Sequence, residues 1–151
     1  MKHDKNLEIR SATAEESGDI RRLILEGGIN PFGLDWRRFV VAVTGEGDVI
    51  GCGQLKPHGK DTLEMASLAV TEDWRGEGIG RRLIEELLQR GSEPLWLMCR
   101  SSLVPLYQKF GFEEVGPGEE QPKYFQRMRR LVEVLNTAIG RDEYLAVMVR
   151  R

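Results

Sequence analysis

Cysteine and histidine are scarce in this chain, with two of each among 151 residues. Cys52 and Cys99 lie far apart and form no CxxC pair, so neither a disulfide framework nor a zinc site is supported. His3 and His58 alone cannot build a histidine-rich centre, and no metal is expected. Long apolar runs are missing as well; the longest fall far short of the ~20 residues that cross a bilayer, so no spanning segment and no membrane partner is expected. Met1-Lys2-His3-Asp4-Lys5 carries no apolar signal core, an argument against export and for a cytoplasmic protein. An excess of positive charge is also absent. The 22 Lys and Arg stand against 24 Asp and Glu, a formal net charge of −2, so nucleic acid is not an expected partner. With 40% apolar and 30% charged residues, the chain reads as one ordinary globular domain over 1–151.

Glycine is what the chain has in excess: 17 residues, about 11% against a typical ~7%. No repeat or Ser/Gly tract absorbs the surplus, so it belongs to particular turns or to a backbone-lined site.

Thr13 and Glu16 have capping-box spacing, and Ile20, Leu23 and Ile24 form a helical stripe stopped at Gly27-Gly28. They predict a first helix over about 14–27, after a strand from Leu7 to Ala12. Asn30-Pro31 predicts a short second helix reaching Trp36-Arg37-Arg38. Strands are expected over 39–44 and 48–56, joined by Gly45-Glu46-Gly47, and over 62–71 after a turn at His58-Gly59-Lys60-Asp61. His58 is read as a solvated turn residue. A helix over 78–90, a buried strand over 94–99, a short helix over 101–110 and a strand over 112–115 follow. The helix predicted over 122–139 carries Phe125, Met128, Leu131, Val132, Leu135 and Ile139 on its core stripe and ends at Gly140. Its Lys123, Arg127, Arg129 and Arg130 read as a solvated face. A strand over 143–149 closes the chain; left exposed, it could pair across a homodimer.

The stretch most informative about function is Arg75-Gly76-Glu77-Gly78-Ile79-Gly80-Arg81, between a strand and an amphipathic helix. Glycine allows close backbone approach, and the first-turn N–H groups of a helix point along its positive dipole end. Together they favour a phosphate or pyrophosphate, with Arg75 and Arg81 available for charge-assisted contacts. A Walker loop requires Gly-Lys-Ser/Thr, but Gly80 precedes Arg81-Arg82. A dinucleotide fingerprint requires a third glycine where Arg81 stands. A nucleotide-binding domain is therefore disfavoured.

This stretch resembles the (Gln/Arg)-x-x-Gly-x-(Gly/Ala) signature of the GNAT superfamily of N-acetyltransferases. Leu68-Ala69-Val70 is similar to that family's bulged strand, and Tyr107-Gln108-Lys109-Phe110-Gly111-Phe112 resembles its Tyr-x-x-x-Gly-Phe motif. The order of elements agrees from about Leu7 to Val115. The fold implied is mixed α/β (α+β): a twisted, mostly antiparallel sheet of about seven strands, helices on both faces, in the order β-α-α-β-β-β-α-β-α-β-α-β. The helix at about 122–139 then reads as an insertion before the last strand.

The resemblance implies an acetyl-CoA-dependent N-acetyltransferase moving the acetyl group directly from the thioester to a primary amine, without metal or covalent intermediate. Its pyrophosphate would meet Arg75, Gly76, Glu77, Gly78, Ile79, Gly80 and Arg81. Its pantetheine arm would hydrogen-bond Leu68, Ala69 and Val70 like an added strand, where strands 62–71 and 94–99 splay. An N–H near Val70 would stabilise the oxyanion. Tyr107 is implied as the acid that protonates the departing thiolate. Glu64, six residues before Val70, is the candidate base, with Glu72 and Asp73 as substitutes, because an amine of pKa near ~10 arrives as ammonium. Many family members carry asparagine near the helix that holds the tyrosine; here Ser102 is the smaller replacement. Phe32, Trp36, Tyr124 and Phe125 are the acceptor-site candidates. Cys52 and Cys99 read as inert packing residues. The alternative function is a coenzyme A-binding regulatory or interaction module without turnover.

Overall fold

A computed structural model describes residues 6–139 and 142–151. The expectations for Met1 to Lys5 and for a helix stop at Gly140 lie outside them. Among the described residues seven strands hydrogen-bond in the order β1-β2-β3-β4-β5-β7-β6, and four α-helices accompany them. The sheet is mixed and mostly antiparallel, as expected. No helix among the described residues is long and apolar enough to cross a membrane. The chain forms two compact units, residues 1–56 with 65–92 and residues 57–64 with 93–151.

In the first unit, β1 (Glu8–Ser11) pairs antiparallel with β2 (Phe39–Val43), which pairs antiparallel with β3 (Val49–His58). Between β1 and β2, a 3-10 turn over Ala14–Glu16 opens α1 (Ser17–Glu26). The capping box forms: Glu16 Oε1 accepts the Thr13 N–H at 2.8 Å, satisfying a donor that the first turn leaves orphaned. Arg10 clamps the same carboxylate through two 2.8 Å hydrogen bonds and holds it below its usual range. Ile20, Leu23 and Ile24 face a core with Phe39, Val41, Val43 and Val49.

The predicted second helix does not form. Only a 3-10 turn over Trp36–Arg38 is present, capped by Asp35, because Gly33 at φ +71° breaks the helical path that Pro31 would begin. The unit closes with the later residues of β4 (Thr62–Val70) and with α2 (Ile79–Arg90), which packs against β1 and β2. Gly51 and Gly53 of β3 lie under this helix. A Cβ on Gly51 would stand 3.0 Å from Leu83 Cδ1 and 3.3 Å from the Ala69 carbonyl, and one on Gly53 would stand 2.8 Å from Leu87 Cδ1. Part of the glycine surplus thus lets helix and strand pack closely.

In the second unit, the start of β4 pairs in parallel with β5 (Leu95–Arg100), through Leu63 with Leu95 and Glu64 with Trp96. A 3-10 turn over Ser101–Leu103 leads into α3 (Val104–Gln108), followed by β6 (Glu113–Val115), α4 (Lys123–Ile139) and β7 (Leu145–Arg150). β7 is not an exposed edge. It pairs antiparallel with β5 on one side and β6 on the other, and Ala146 to Val149 are fully buried. A continuous apolar run suits a strand covered on both faces, and the edge-pairing argument for a homodimer falls with it.

α4 packs on β7 through Phe125, which is buried with Trp96, Val115, Val147 and Val149. Two expectations for this helix change. Arg129 does not belong to a solvated face; it is buried and donates from Nη2 to the Val115 carbonyl at 2.6 Å. Beyond Met128 the apolar stripe turns outward, with Leu131 and Leu135 exposed.

Candidate functional site

The first unit carries the glycine-rich turn and the strand before it. Ser67 is the one non-glycine residue at positive φ among those described, at +58°. This conformation costs a side-chain-bearing residue roughly 1–2 kcal/mol and marks a break in the alternation of β4. The break falls just before Leu68-Ala69-Val70, where the sequence motif called for a bulge.

Two buried side chains of β3 hold that break. Cys52 donates its thiol to the Ser67 carbonyl at 3.5 Å and accepts the Ala69 N–H. Desolvation, partly offset by that N–H, pushes the Cys52 thiol up to about 12, so the sulfur stays protonated as a donor. Gln54, with no exposed surface, donates Nε2 to Ser67 Oγ at 2.8 Å and to the Gly33 carbonyl at 3.5 Å. Cys52 was expected to be mere packing; its spacing from Ser67 only becomes meaningful once the strands pair.

Replacing Gln54 by Leu would leave the Ser67 hydroxyl without this partner beside an apolar group. The expected loss is about 1–3 kcal/mol in chemical denaturation, the usual penalty for a buried unpaired polar group. An unchanged denaturation midpoint would show that Gln54 does not hold the bulge.

After β4, a 3-10 turn over Glu72–Trp74 leads into the glycines. The substitutes Glu72 and Asp73 lie exposed in this turn. Arg75 donates Nε to the Val70 carbonyl at 3.2 Å, tying the end of the strand to the turn. Gly76 and Gly78 adopt φ of +82° and +79°, a region glycine enters without steric penalty. Gly78 is the N-cap of α2 and has no side chain with which to cap it. The first-turn N–H groups of Ile79, Gly80 and Arg81 thus have no intrahelical acceptor. A Cβ added at Gly76, Gly78 or Gly80 would find nothing within 4 Å, so the space over the turn is open. Arg75, Arg81 and Arg82 are all exposed around it. Backbone donors, a positive helix end and guanidinium groups make a cradle for a phosphate-bearing ligand.

The second unit carries the titratable candidates. Glu64 is 4% exposed, and its Oε1 lies 2.7 Å from His58 Nε2. His58 is not a solvated turn residue. β3 runs two residues beyond the predicted 56 and takes the histidine into the strand. Tyr124 of α4 stacks on the imidazole, centroids 3.9 Å apart at 24°, and Phe125 meets it edge-on at 5.9 Å. Burial, and then the Glu64 charge, raise the Tyr124 phenol above its ordinary range. Of the acceptor candidates, Tyr124 is half-buried beside Glu64, whereas Phe125 is a core residue with no exposed surface. In the first unit Phe32 is exposed, and Trp36 is partly buried with Arg37 over its ring at 5.0 Å.

Tyr107 sits on α3, buried at 8% exposure and edge-on to Phe112 at 6.1 Å. Burial, and secondarily Cys99, push its phenol up to about 12, so at neutral pH it holds a proton to give. Ser102 lies exposed in the 3-10 turn before α3. Cys99 is buried, and desolvation pushes its thiol up to about 11, which disfavours the nucleophilic thiolate. Among the described residues no group of three or more His, Cys, Asp or Glu could hold a metal ion.

Residues 35–114 match the family model described as an acetyltransferase (GNAT) domain. The chain is 32% identical over 149 residues to the uncharacterized N-acetyltransferase YhbS of Escherichia coli, covering 89% of this chain and 84% of that protein. It is 42% identical over 67 residues to serotonin N-acetyltransferase of Mesocricetus auratus, covering 41% of this chain and 32% of that protein; the chain thus spans about a third of that relative. Among solved structures, N-acetylglutamate synthase of Neisseria gonorrhoeae, complexed with coenzyme A and N-acetyl-glutamate, superposes with a TM-score of 0.72. That match has 22% identity and covers 99% of this chain and 36% of that one, and it establishes the shared fold. By family model and by near full-length similarity, the chain belongs to the GNAT acetyltransferase family.

Proposed function

We propose that the chain is an acetyl-CoA-dependent N-acetyltransferase acting on a primary amine of a small molecule or protein. The observation that carries the reading is the open first turn of α2, entered through Gly76 and Gly78 in left-handed conformations and bordered by three exposed arginines. Backbone N–H groups at a helix start bind a pyrophosphate with no need of a basic surface, which suits a chain of net charge −2. The bulge at Ser67 supports a place for an amide-bearing arm beside Leu68 to Val70. The coenzyme A in the complex of the Neisseria synthase is in keeping with such a ligand.

Acetyl-CoA supplies an activated acetyl thioester. In the proposed reaction Glu64 removes a proton from the acceptor ammonium, freeing the lone pair that attacks the acetyl carbon. The N–H near Val70 stabilises charge developing on the acetyl oxygen. Tyr107 gives its phenolic proton to the departing thiolate. Acceptor contacts are assigned to Phe32, Trp36 and Tyr124, and the donor's further contact to Ser102.

Incubating the purified protein with acetyl-CoA and a panel of small amines, peptides and aminoglycosides, while following thiol release, tests the function. Amine-dependent release is expected. Coenzyme A-dependent thermal stabilisation without turnover on any amine would instead identify a binding module. Tyr107→Phe is expected to lower kcat by roughly 10²-fold while coenzyme A still binds; unchanged turnover would remove the acid role.

A further inference from the structure

Beyond Phe125, α4 shares a cleft with the loop that follows β6. The cleft has a volume of about 240 Å³ and is lined by Pro117, Gln121, Gln126, Arg129, Arg130 and Glu133. Gln121 and Arg129, each 8% exposed, make its floor, and the other four are exposed and make its walls. Arg129 donates from Nη2 to the Val115 carbonyl at 2.6 Å, which ties α4 to β6. Its Nη1 is buried and has no partner among the described residues. Gln121 donates from Nε2 to the carbonyls of Gly116 at 3.1 Å and Glu119 at 3.2 Å. Turning that amide over would aim its oxygen at two carbonyls, so the orientation is fixed and Oε1 is left buried without a partner. The backbone contacts of both residues are complete with Nη2 and Nε2. A cationic donor and a neutral acceptor remain unpaired in one cleft, an arrangement that folded proteins rarely leave unfilled.

The chemistry of these atoms states what fits. Arg129 Nη1 and the exposed Arg130 guanidinium call for a carboxylate, whose two oxygens match guanidinium donors. Gln121 Oε1 calls for an N–H. Glu133 on the wall opposes a second negative charge and favours a positively charged nitrogen. Pockets for drug-sized ligands run to ~300–1,000 Å³, so this cleft suits a smaller molecule; a single water, with its share of ~30 Å³, does not fill it. We propose that the cleft is a binding site for a small α-amino acid, its carboxylate on Arg129 and Arg130 and its ammonium on Gln121 and Glu133. The exposed wall side chains turn aside to admit it, and the bonds of Arg129 and Gln121 to the backbone stay in place. The helix that the sequence marked as an insertion supplies four of the six lining residues. Such binding needs no acetyl transfer and is read directly.

Nuclear magnetic resonance titration of the isotope-labelled protein with L-alanine, which carries the groups common to α-amino acids, makes the test. Saturable shifts are expected in the side-chain N–H signals of Arg129 and Gln121 and in the backbone N–H signals over 116–121. Acetate, which lacks the N–H, should bind at least about 10-fold more weakly, the size of one charge-assisted hydrogen bond. L-alaninamide, which lacks the carboxylate, should give no saturable shift. Arg130→Ala should weaken L-alanine by about 10-fold, and Arg130→Glu should abolish its binding. Arg129→Lys keeps a donor for the Val115 carbonyl but loses the second N–H of the fork, and it should weaken binding by as much as Arg130→Ala or more. Thermal melts check folding, and if Arg129→Lys unfolds, the variants at the exposed Arg130 decide alone. No saturable shift with L-alanine, equal shifts with L-alaninamide, or wild-type affinity in Arg130→Glu would overturn the site. Acetate binding as tightly as L-alanine would overturn the assignment to an amino acid.

Discussion

Glu64→Gln is expected to lower kcat at pH 7 by about 10²–10⁴-fold, the range for removing a positioned general base. The size follows from the acceptor. An amine of pKa near ~10 is unprotonated in only about one molecule in 10³ at pH 7, and an enzyme without its base must wait for that fraction. The deficit should therefore narrow as pH rises. In the variant every tenfold gain in free amine raises the rate, whereas the wild type depends less on bulk deprotonation. The protein should still fold, because the glutamine amide offers both an acceptor oxygen and a donor N–H to His58 Nε2, which lies 2.7 Å from the Glu64 carboxylate. KM for acetyl-CoA should move little, since the proposed donor contacts lie in the turn over 75–81 and along Leu68 to Val70. Steady-state rates between pH 7 and 9, corrected for uncatalysed acetylation, make the measurement. A deficit constant across that range would mean that Glu64 does something other than remove a proton.

Substitutions at Gly80 are expected to separate stability from donor affinity. Gly80 is the second residue of α2, and a Cβ there meets nothing within 4 Å. Gly80→Ala should raise folding stability by about 0.5–1 kcal/mol, the ordinary gain of alanine over glycine in a helix. The (Gly/Ala) position of the signature falls on Gly80, so KM for acetyl-CoA should stay within about 2-fold in Gly80→Ala, whereas a branched side chain intrudes on the space where phosphate oxygens approach the first-turn N–H groups. Gly80→Val should raise KM for acetyl-CoA by about 10²-fold, roughly 2.7 kcal/mol at 1.36 kcal/mol per tenfold. Gly78 makes the contrast. At φ +79° any side chain is strained by roughly 1–2 kcal/mol with or without ligand, so Gly78→Ala should lose stability as well as affinity. Thermal denaturation with and without coenzyme A separates the two kinds of glycine. Unchanged donor affinity in Gly80→Val would place the donor elsewhere.

How much of this was legible in the sequence depended on how local the signal was. The capping box at Thr13 and Glu16, the turn at Gly45 to Gly47 and the glycine run before α2 are set by neighbouring residues, and all appear where their spacing puts them. The bulge was legible as a motif, but its supports were not. Cys52 and Gln54 reach Ser67 across 15 and 13 residues, a relation that only strand pairing creates.

His58 was misread because Pro57 and Gly59 flank it and turn chemistry outweighed alternation; its stacking partner Tyr124 lies 66 positions away in the sequence. The failed helix near Pro31 shows a start signal overruled two residues later by Gly33. β7 was misplaced for a topological reason. The helical segment before it lets the chain return between β5 and β6, and its unbroken apolar run Leu145 to Val149 is the composition of an interior strand. The opening scarcity of histidine also takes on a new meaning, because one of the two histidines stands against the candidate base.

Calorimetric titration of the purified protein with coenzyme A, ATP and NAD compares the three ligands at the glycine-rich turn before α2. Saturable binding of coenzyme A, with ATP and NAD at least about 10-fold weaker and coenzyme A affinity reduced in Gly80→Val, is the expected result. Equal or tighter binding of ATP or NAD, or no binding of coenzyme A, would contradict a donor site built on the turn from Arg75 to Arg81.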